Sequence, residues 1–150
     1  MKIVIQRALS ASVSISGQIK AQIGKGLVLL LGIEHTDTTD DLQWLCKKVA
    51  QLRIFSDSDG LMNLSVQDIG GAIIVVSQFT LYASCKKGNR PSYIRAARPE
   101  TAIPLYEQFI AELQQYISSP IQTGEFGADM QVSLINDGPV TIIIDSKLRE

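Results

Sequence analysis

Between Lys2 and Ile33 the apolar positions come in short alternating runs, Ile3/Ile5 and Val13/Ile15, broken by turn signals at Ser16-Gly17 and Gly24-Lys25-Gly26. Alternation with period two places successive side chains on opposite faces of a strand, so this segment predicts successive antiparallel strands. The third run, Leu27-Val28-Leu29-Leu30-Leu31, is apolar throughout, which requires cover on both faces. At Thr38 the period changes. Thr38-x-x-Asp41 resembles a helix-capping arrangement, and Leu42, Leu45, Cys46, Val49 and Leu52 follow at helical spacing, predicting a first helix with Cys46 in its core-facing stripe. A short strand is expected at Arg53 to Phe55, followed by the turn cluster Asp57-Ser58-Asp59-Gly60. Ala72 to Phe79 is a second strand-like apolar run that turns polar at its C-terminal end. Leu105, Tyr106, Phe109, Ile110, Leu113, Tyr116 and Ile117 predict a second helix between Arg98 and Ser118, with Pro104 in its first turn, where no backbone N–H is needed. Met130–Ile135 and Val140–Ile144 predict two closing strands joined through Asn136-Asp137-Gly138-Pro139.

Strands at both ends and two helices between them argue against a simple doubly wound sheet. They favour a layered α/β domain with two β-sheets flanked by two main helices. A length of 150 residues fits a single domain, 1–150. The longest apolar stretch, Gly26 to Ile33, falls far short of the roughly 20 residues that span a bilayer. The N-terminus turns polar at once and lacks an apolar leader. No membrane association is expected, and the expected location is the cytoplasm.

The residues also narrow the chemistry. Cys46 and Cys85 lie far apart with no CxxC partner, so neither a disulfide framework nor a zinc site is signalled. The one histidine, His35, sits in the polar stretch Glu34-His35-Thr36-Asp37 without a G-x-S-x-G elbow, and reads as a solvated loop residue before a catalytic one. No metal is expected, because carboxylates are scattered and ligand spacings absent. The Asp57 cluster lacks the Glu of a calcium loop, Val66 standing in its place. Gly24-Lys25-Gly26 and Gly70-Gly71 are not phosphate loops, so no cofactor is expected.

What remains is a set of polar groups at a strand end, Ser77, Gln78 and Thr80, beside a basic stretch. The net charge of −1 excludes a globally basic nucleic-acid binder. From Tyr82 to Pro99, however, Lys86, Lys87, Arg90, Arg95 and Arg98 occur with no acidic residue, interleaved with Tyr82 and Tyr93. Such a loop suits a flexible nucleic-acid end, since cations hold phosphate and rings stack on bases. A solvated charged face explains the composition equally well.

Two segments, Ser77-Gln78-Phe79-Thr80-Leu81 and Asn136-Asp137-Gly138-Pro139-Val140-Thr141, resemble the two signature motifs of the D-aminoacyl-tRNA deacylases. The resemblance runs from Met1 to about Asp145 and includes Arg7 and Lys86-Lys87-Gly88-Asn89-Arg90-Pro91-Ser92. It implies a homodimeric hydrolase of two-sheet, helix-flanked fold, with its active site at the subunit interface. The partner implied is the 3′ end of aminoacyl-tRNA. The reaction implied is hydrolysis of D-aminoacyl-tRNA, and of glycyl-tRNA mischarged on tRNA-Ala, with L-aminoacyl-tRNA rejected. Ser77, Gln78, Phe79 and Thr80 would surround the terminal adenosine and the ester as catalytic residues. Gly138 and Pro139 of the partner chain would enter the same pocket as chirality selector, with Arg7, Asn136 and Met130 as further substrate-side residues. Lys86, Lys87 and Arg90 would hold tRNA phosphates.

Without the resemblance each residue has a plainer role. Phe79 reads as a core aromatic, Thr80 as an ordinary strand threonine, Met130 as core packing and Gly138-Pro139 as a turn. With it, the Gly138–Pro139 bond is expected to be cis, its carbonyls forming a wall that excludes an L side chain. Thr80 could act as nucleophile or orient the substrate. Orientation is favoured, since no base is identifiable to activate its hydroxyl. A non-catalytic RNA- or ligand-binding dimer on the same scaffold is the alternative.

Overall fold

The computed structural model describes residues 1–149. Its elements run β1 (Lys2–Ile15), β2 (Gln18–Ile23), β3 (Gly26–Gly32), α1 (Thr39–Gln51), β4 (Phe55–Ser56), β5 (Met62–Leu64), β6 (Ala72–Ser77), a 3-10 turn (Phe79–Tyr82), α2 (Pro99–Gln114), β7 (Gln122–Thr123) and β8 (Gln131–Asp145). A six-stranded sheet follows the order β2-β1-β3-β6-β7, with β8 paired to β1, and β4 and β5 form a separate ribbon. The expected α/β fold with two sheets and two main helices is therefore the observed one. Among the described residues no helix is long and apolar enough to cross a membrane.

The long strand β1 explains the layering. Its first half, Lys2 to Ala8, pairs antiparallel with β3, and its second half, Ala11 to Ile15, pairs with β2. The second half packs back over the parallel strands β3 and β6, so Ala8, Ala11, Val13, Ala21, Ile23, Val28, Ile74 and Val76 form one core. On the opposite face, Ile3, Ile5, Leu27, Leu29, Leu31, Ile73 and Val75 meet α1 through Leu42, Leu45 and Val49, and α2 through Phe109 and Leu113. The uninterrupted apolar run of β3 thus has the cover on both faces that its sequence demanded. Cys46 lies in this second core, wholly buried, and burial pushes its thiol up.

Three elements differ from the sequence reading. The closing strand pair is one 15-residue strand, β8. Gln6 faces Thr141 while Ala8 faces Asn136, so Asp137–Val140 protrude as a bulge rather than a hairpin turn, and antiparallel pairing with β1 resumes beyond it. The helix α2 starts at Pro99, which places Pro104 inside the helix and not in its first turn. Pro104 cannot donate to the carbonyl of Glu100, but its position is exposed, so water satisfies the freed carbonyl. The short strand expected at Arg53–Phe55 is Phe55–Ser56, paired with β5. Between them Asp57 accepts from the N–H groups of Asp59 and Leu61 and from Asn63 Nδ2.

The start of α1 also ties both ends of the sheet together. Asp41 Oδ2 accepts from Thr38 N and Thr38 Oγ1, each at 3.0 Å, and from Lys147 Nζ at 2.6 Å. Asp41 Oδ1 accepts from Ser146 Oγ at 2.8 Å, and the same serine oxygen accepts from the Met1 ammonium at 2.6 Å. Burial alone would raise the Asp41 carboxyl, but the Lys147 ammonium, Ser146 hydroxyl and Thr38 N–H hold it well below the usual carboxylate range. A depressed folded value adds stability above the unfolded aspartate value, near 3.9, that is lost as pH falls below it. Asp41→Asn is therefore expected to cost about 3 kcal/mol at neutral pH, read by urea unfolding, and to flatten the acid limb of the parent's stability profile. A loss below about 0.5 kcal/mol would mean that the cluster is energetically neutral.

Candidate active site

The polar turn after β6 forms because the strand's partner ends there. Gln78 N–H donates to Leu31 O at 2.7 Å, continuing the parallel ladder by one bond, and the chain then tightens into the 3-10 turn, with Leu81 N–H on Gln78 O and Ala83 N–H on Thr80 O. Gly32 makes the close approach possible. A Cβ there would lie 3.0 Å from Leu81 Cβ and 3.1 Å from Gln78 O. The N–H groups that open such a turn, those of Phe79 and Thr80, have no partner within it and can take an external acceptor.

Beside this turn lies a cleft of about 300 Å³. It is lined by Ser77, Gln78 and Phe79 together with Phe126, Asp129 and Met130, from the segment between β7 and β8. Ser77 and Gln78 are half-buried, whereas Phe79 is 56% exposed and meets Tyr93 edge-on, 5.1 Å between ring centroids. Thr80, next in the turn, is not among the lining residues, and its Oγ1 accepts from Gln78 Nε2 at 2.5 Å. Accepting from Gln78 uses one of its two lone pairs and leaves the Thr80 hydroxyl proton to donate elsewhere. Met130 both packs on the core of Ala8, Val13, Val28 and Val76 and lines the cleft.

The sequence reading missed Ala102, Phe126 and Asp129, all of which line the cleft. Ala102 and Phe126 had no signal beyond apolarity. Asp129, one residue before Met130, is the single ionisable side chain among the lining residues. Phe126 packs edge-on against Tyr106, 5.9 Å between centroids. Burial pushes the Tyr106 phenol up to about 12, so it stays a neutral donor to Val75 O at 2.8 Å.

The second motif is built elsewhere on the same chain. Asn136 closes the bulge by a reciprocal pair of bonds, Val140 N–H donating to Asn136 Oδ1 at 3.0 Å and Asn136 Nδ2 donating to Val140 O at 3.1 Å. Arg7, 7% exposed, braces it from β1. Its Nε donates to Asp137 O at 3.0 Å and lies 3.1 Å from Asp137 Oδ2, while Nη1 donates to Ile54 O at 2.5 Å. The Gly138–Pro139 bond is cis, as expected, and Gly138 holds φ +131°, a region closed to most L residues. Neither Gly138 nor Pro139 lines the cleft formed by Ser77–Phe79 of its own chain.

Lys86, Lys87 and Arg90 are exposed, at the tip of a loop whose base is closed by mutual hydrogen bonds between Ser84 and Ser92. The structure therefore brings Ser77, Gln78, Phe79, Thr80 and Met130 together, gathers Arg7 and Asn136 around Gly138-Pro139, and leaves the cations on a separate lobe.

Fold and site define an α/β protein whose cleft offers amide, hydroxyl and aromatic groups around the end of a parallel strand. Residues 4–145 match the family described as D-Tyr-tRNA(Tyr) deacylase, and the chain belongs to that family. It is 60% identical to a D-aminoacyl-tRNA deacylase of Akkermansia muciniphila, and 61% identical to one of Flavobacterium psychrophilum, in each case over 150 residues and the full length of both chains. Among solved structures it is similar to a c-Myc DNA unwinding element binding protein, with TM-score 0.92 and 41% identity over 97% of this chain and 98% of the other. A probable eukaryotic D-amino acid tRNA deacylase, 14% identical with TM-score 0.80 over 95% and 97% of the two chains, shares the fold.

Proposed function

We propose that the protein hydrolyses the ester linking a D-amino acid to the tRNA 3′ end, releasing free amino acid and tRNA, and spares the L-aminoacyl ester. The observation that carries this reading is the Ser77–Thr80 turn, whose Ser77, Gln78 and Phe79 line a cleft of nucleoside size and whose Gln78 donates to the Thr80 hydroxyl, in a chain about 60% identical throughout to named deacylases. An aminoacyl ester beside a ribose 2′-OH is intrinsically labile. Positioning and oxyanion stabilisation can then suffice, without a histidine base. Phe79 stacks on the terminal adenine, and the Phe79 and Thr80 N–H groups polarise the ester carbonyl. Gln78 orients the Thr80 hydroxyl, which positions the substrate as water adds to the carbonyl and the ribose oxygen leaves with a proton. Ser77 and Met130 complete the walls.

Gly138 and Pro139 act in the partner's cleft of a homodimer. Two features support this: the bulge lies outside its own cleft, and the outer edge of β8 has no strand partner among the described residues, with Ile135 and Ile143 exposed on that strand. A backbone wall selects by excluding an L-side Cβ, so glycine, which has none, passes and glycyl-tRNA is also cleaved. This work belongs in the cytoplasm, where charged tRNA is used.

Incubation with D-Tyr-tRNA, following free tyrosine, tests the reading. Turnover supports it, whereas retention of intact D-Tyr-tRNA without hydrolysis would establish the non-catalytic binder instead. Neutralising Lys86, Lys87 and Arg90 together is expected to weaken tRNA binding and to lower the slope of log affinity against log salt by up to about 2–3, since each lost phosphate contact removes roughly 0.7–0.9. An unchanged slope would make that loop an ordinary solvated surface.

A further inference from the structure

The cations between Tyr82 and Pro99 do not share one environment. Lys86, Lys87 and Arg90 project from the tip of the loop. Arg95 instead folds back over the body of the protein. Its Nη2 donates to Glu34 Oε2 at 3.0 Å and to Oε1 at 3.3 Å, and its guanidinium carbon lies 5.4 Å from the centroid of the Tyr82 ring.

Both partners are fixed. Glu34 is buried, its N–H donates to Asp37 Oδ2 at 2.8 Å, and it bridges to Ala96 beside Arg95. Tyr82, 2% exposed, is the last residue of the 3-10 turn that begins with Phe79 and Thr80. Its ring carries a second cation, Lys2 Nζ, 5.1 Å from the centroid. The same stretch of loop supplies Tyr93 against Phe79. The turn is therefore held at both ends by residues 93–95, and Arg95 is the member with a buried anchor.

We propose that Arg95 is a positioning residue for deacylation: anchored by Glu34, it braces Tyr82 and fixes the turn that presents Phe79 and Thr80, and it is not a tRNA phosphate ligand. This rests on the reading of that turn as the reacting site. One guanidinium nitrogen reaches both oxygens of a buried carboxylate while the guanidinium carbon stands over an aromatic ring, so a single side chain ties Glu34 to Tyr82. Swinging out to a phosphate would leave Glu34 buried without its counter-charge, which opposes that use. Small displacements of reacting groups are expensive, about 100-fold in rate for 1 Å, so a loosened brace reads out in kcat.

The test compares Arg95→Ala and Arg95→Lys with the parent on D-Tyr-tRNA and on 3′-O-(D-tyrosyl)adenosine, which lacks the upstream phosphates. Arg95→Ala is expected to lower kcat by about 10- to 100-fold on both substrates, leaving the salt slope of kcat/KM unchanged. Arg95→Lys keeps the charge but lacks the guanidinium that reaches Glu34 and Tyr82 at once, and recovers part of kcat. Amide hydrogen exchange supplies a readout independent of turnover: the Leu81 and Ala83 amides are expected to exchange at least about tenfold faster in Arg95→Ala, a loss of local protection near 1.4 kcal/mol. A defect confined to KM for the tRNA, with a flattened salt slope, would overturn the proposal and make Arg95 a phosphate ligand. Unchanged kcat on both substrates with unchanged exchange would also overturn it. Should the parent cleave neither substrate, the deacylase reading fails, and exchange alone still decides whether Arg95 fixes the turn.

Discussion

Gly138→Ala is expected to lower the preference for D- over L-Tyr-tRNA by at least about tenfold. Gly138 sits at φ +131°, and a Cβ built there would lie 2.9 Å from Val140 Cγ2 and 3.1 Å from Arg7 Nη2. Backbone strain of this kind costs about 1–3 kcal/mol, and the crowding adds to it, so the bulge must move. Asn136 and Arg7 hold the bulge by named hydrogen bonds, which means the displacement falls on the two residues between them, the proposed wall. A rearranged wall no longer separates enantiomers that differ only in which side of Cα carries the side chain, and 1.4 kcal/mol is a factor of ten in relative rate. Measuring kcat/KM on both enantiomers decides the matter: an unchanged ratio in a folded Gly138→Ala protein would remove the bulge from chirality selection.

The second large effect separates the two roles open to Thr80. If it orients the substrate, Thr80→Ala keeps turnover within about 100–1000-fold of the parent, the scale of losing one preorganised donor. A substrate ending in 2′-deoxyadenosine should then fall to the rate of the free ester, because the neighbouring 2′-OH is what makes the ester labile. The hydrogen bond from Gln78 is consistent with this: the neighbour of the Thr80 oxygen is an amide donor, whereas a nucleophile would need a base accepting from its hydroxyl. Abolished turnover in Thr80→Ala, together with ready cleavage of the 2′-deoxy ester, would make Thr80 the nucleophile.

The elements legible in the sequence were those with strong periodicity. The turn at Ser16-Gly17, the doubly covered strand β3, the Thr38–Asp41 helix start and the polar end of β6 all follow from local pattern. The bulge in β8 was not legible, because Asn136-Asp137-Gly138-Pro139 has the composition of a tight turn. Only the long-range pairing of Gln6 with Thr141 and Ala8 with Asn136 shows that one strand passes straight through. The position of Pro104 inside the helix is hidden for a similar reason. Pro99 offers a better first helical residue, and an exposed proline five residues later costs little where water reaches the freed carbonyl. At the site, hydrophilic groups at a strand end were visible, whereas Phe126, Asp129 and Ala102 come from segments that only tertiary folding brings to the same cleft. The different fates of Arg95 and Arg90, five residues apart in one basic loop, could not be told from charge alone. The sequence contains the buried Glu34 that separates them but does not reveal its proximity.

Stereospecific deacylation is read from the ratio of kcat/KM for D-Tyr-tRNA and L-Tyr-tRNA, each followed as free tyrosine released from the same tRNA preparation. A site that excludes the L side chain by a backbone wall predicts efficient cleavage of the D ester and an L ester that decays no faster than in buffer. Equal rates on the two enantiomers, or no release from either, would contradict it.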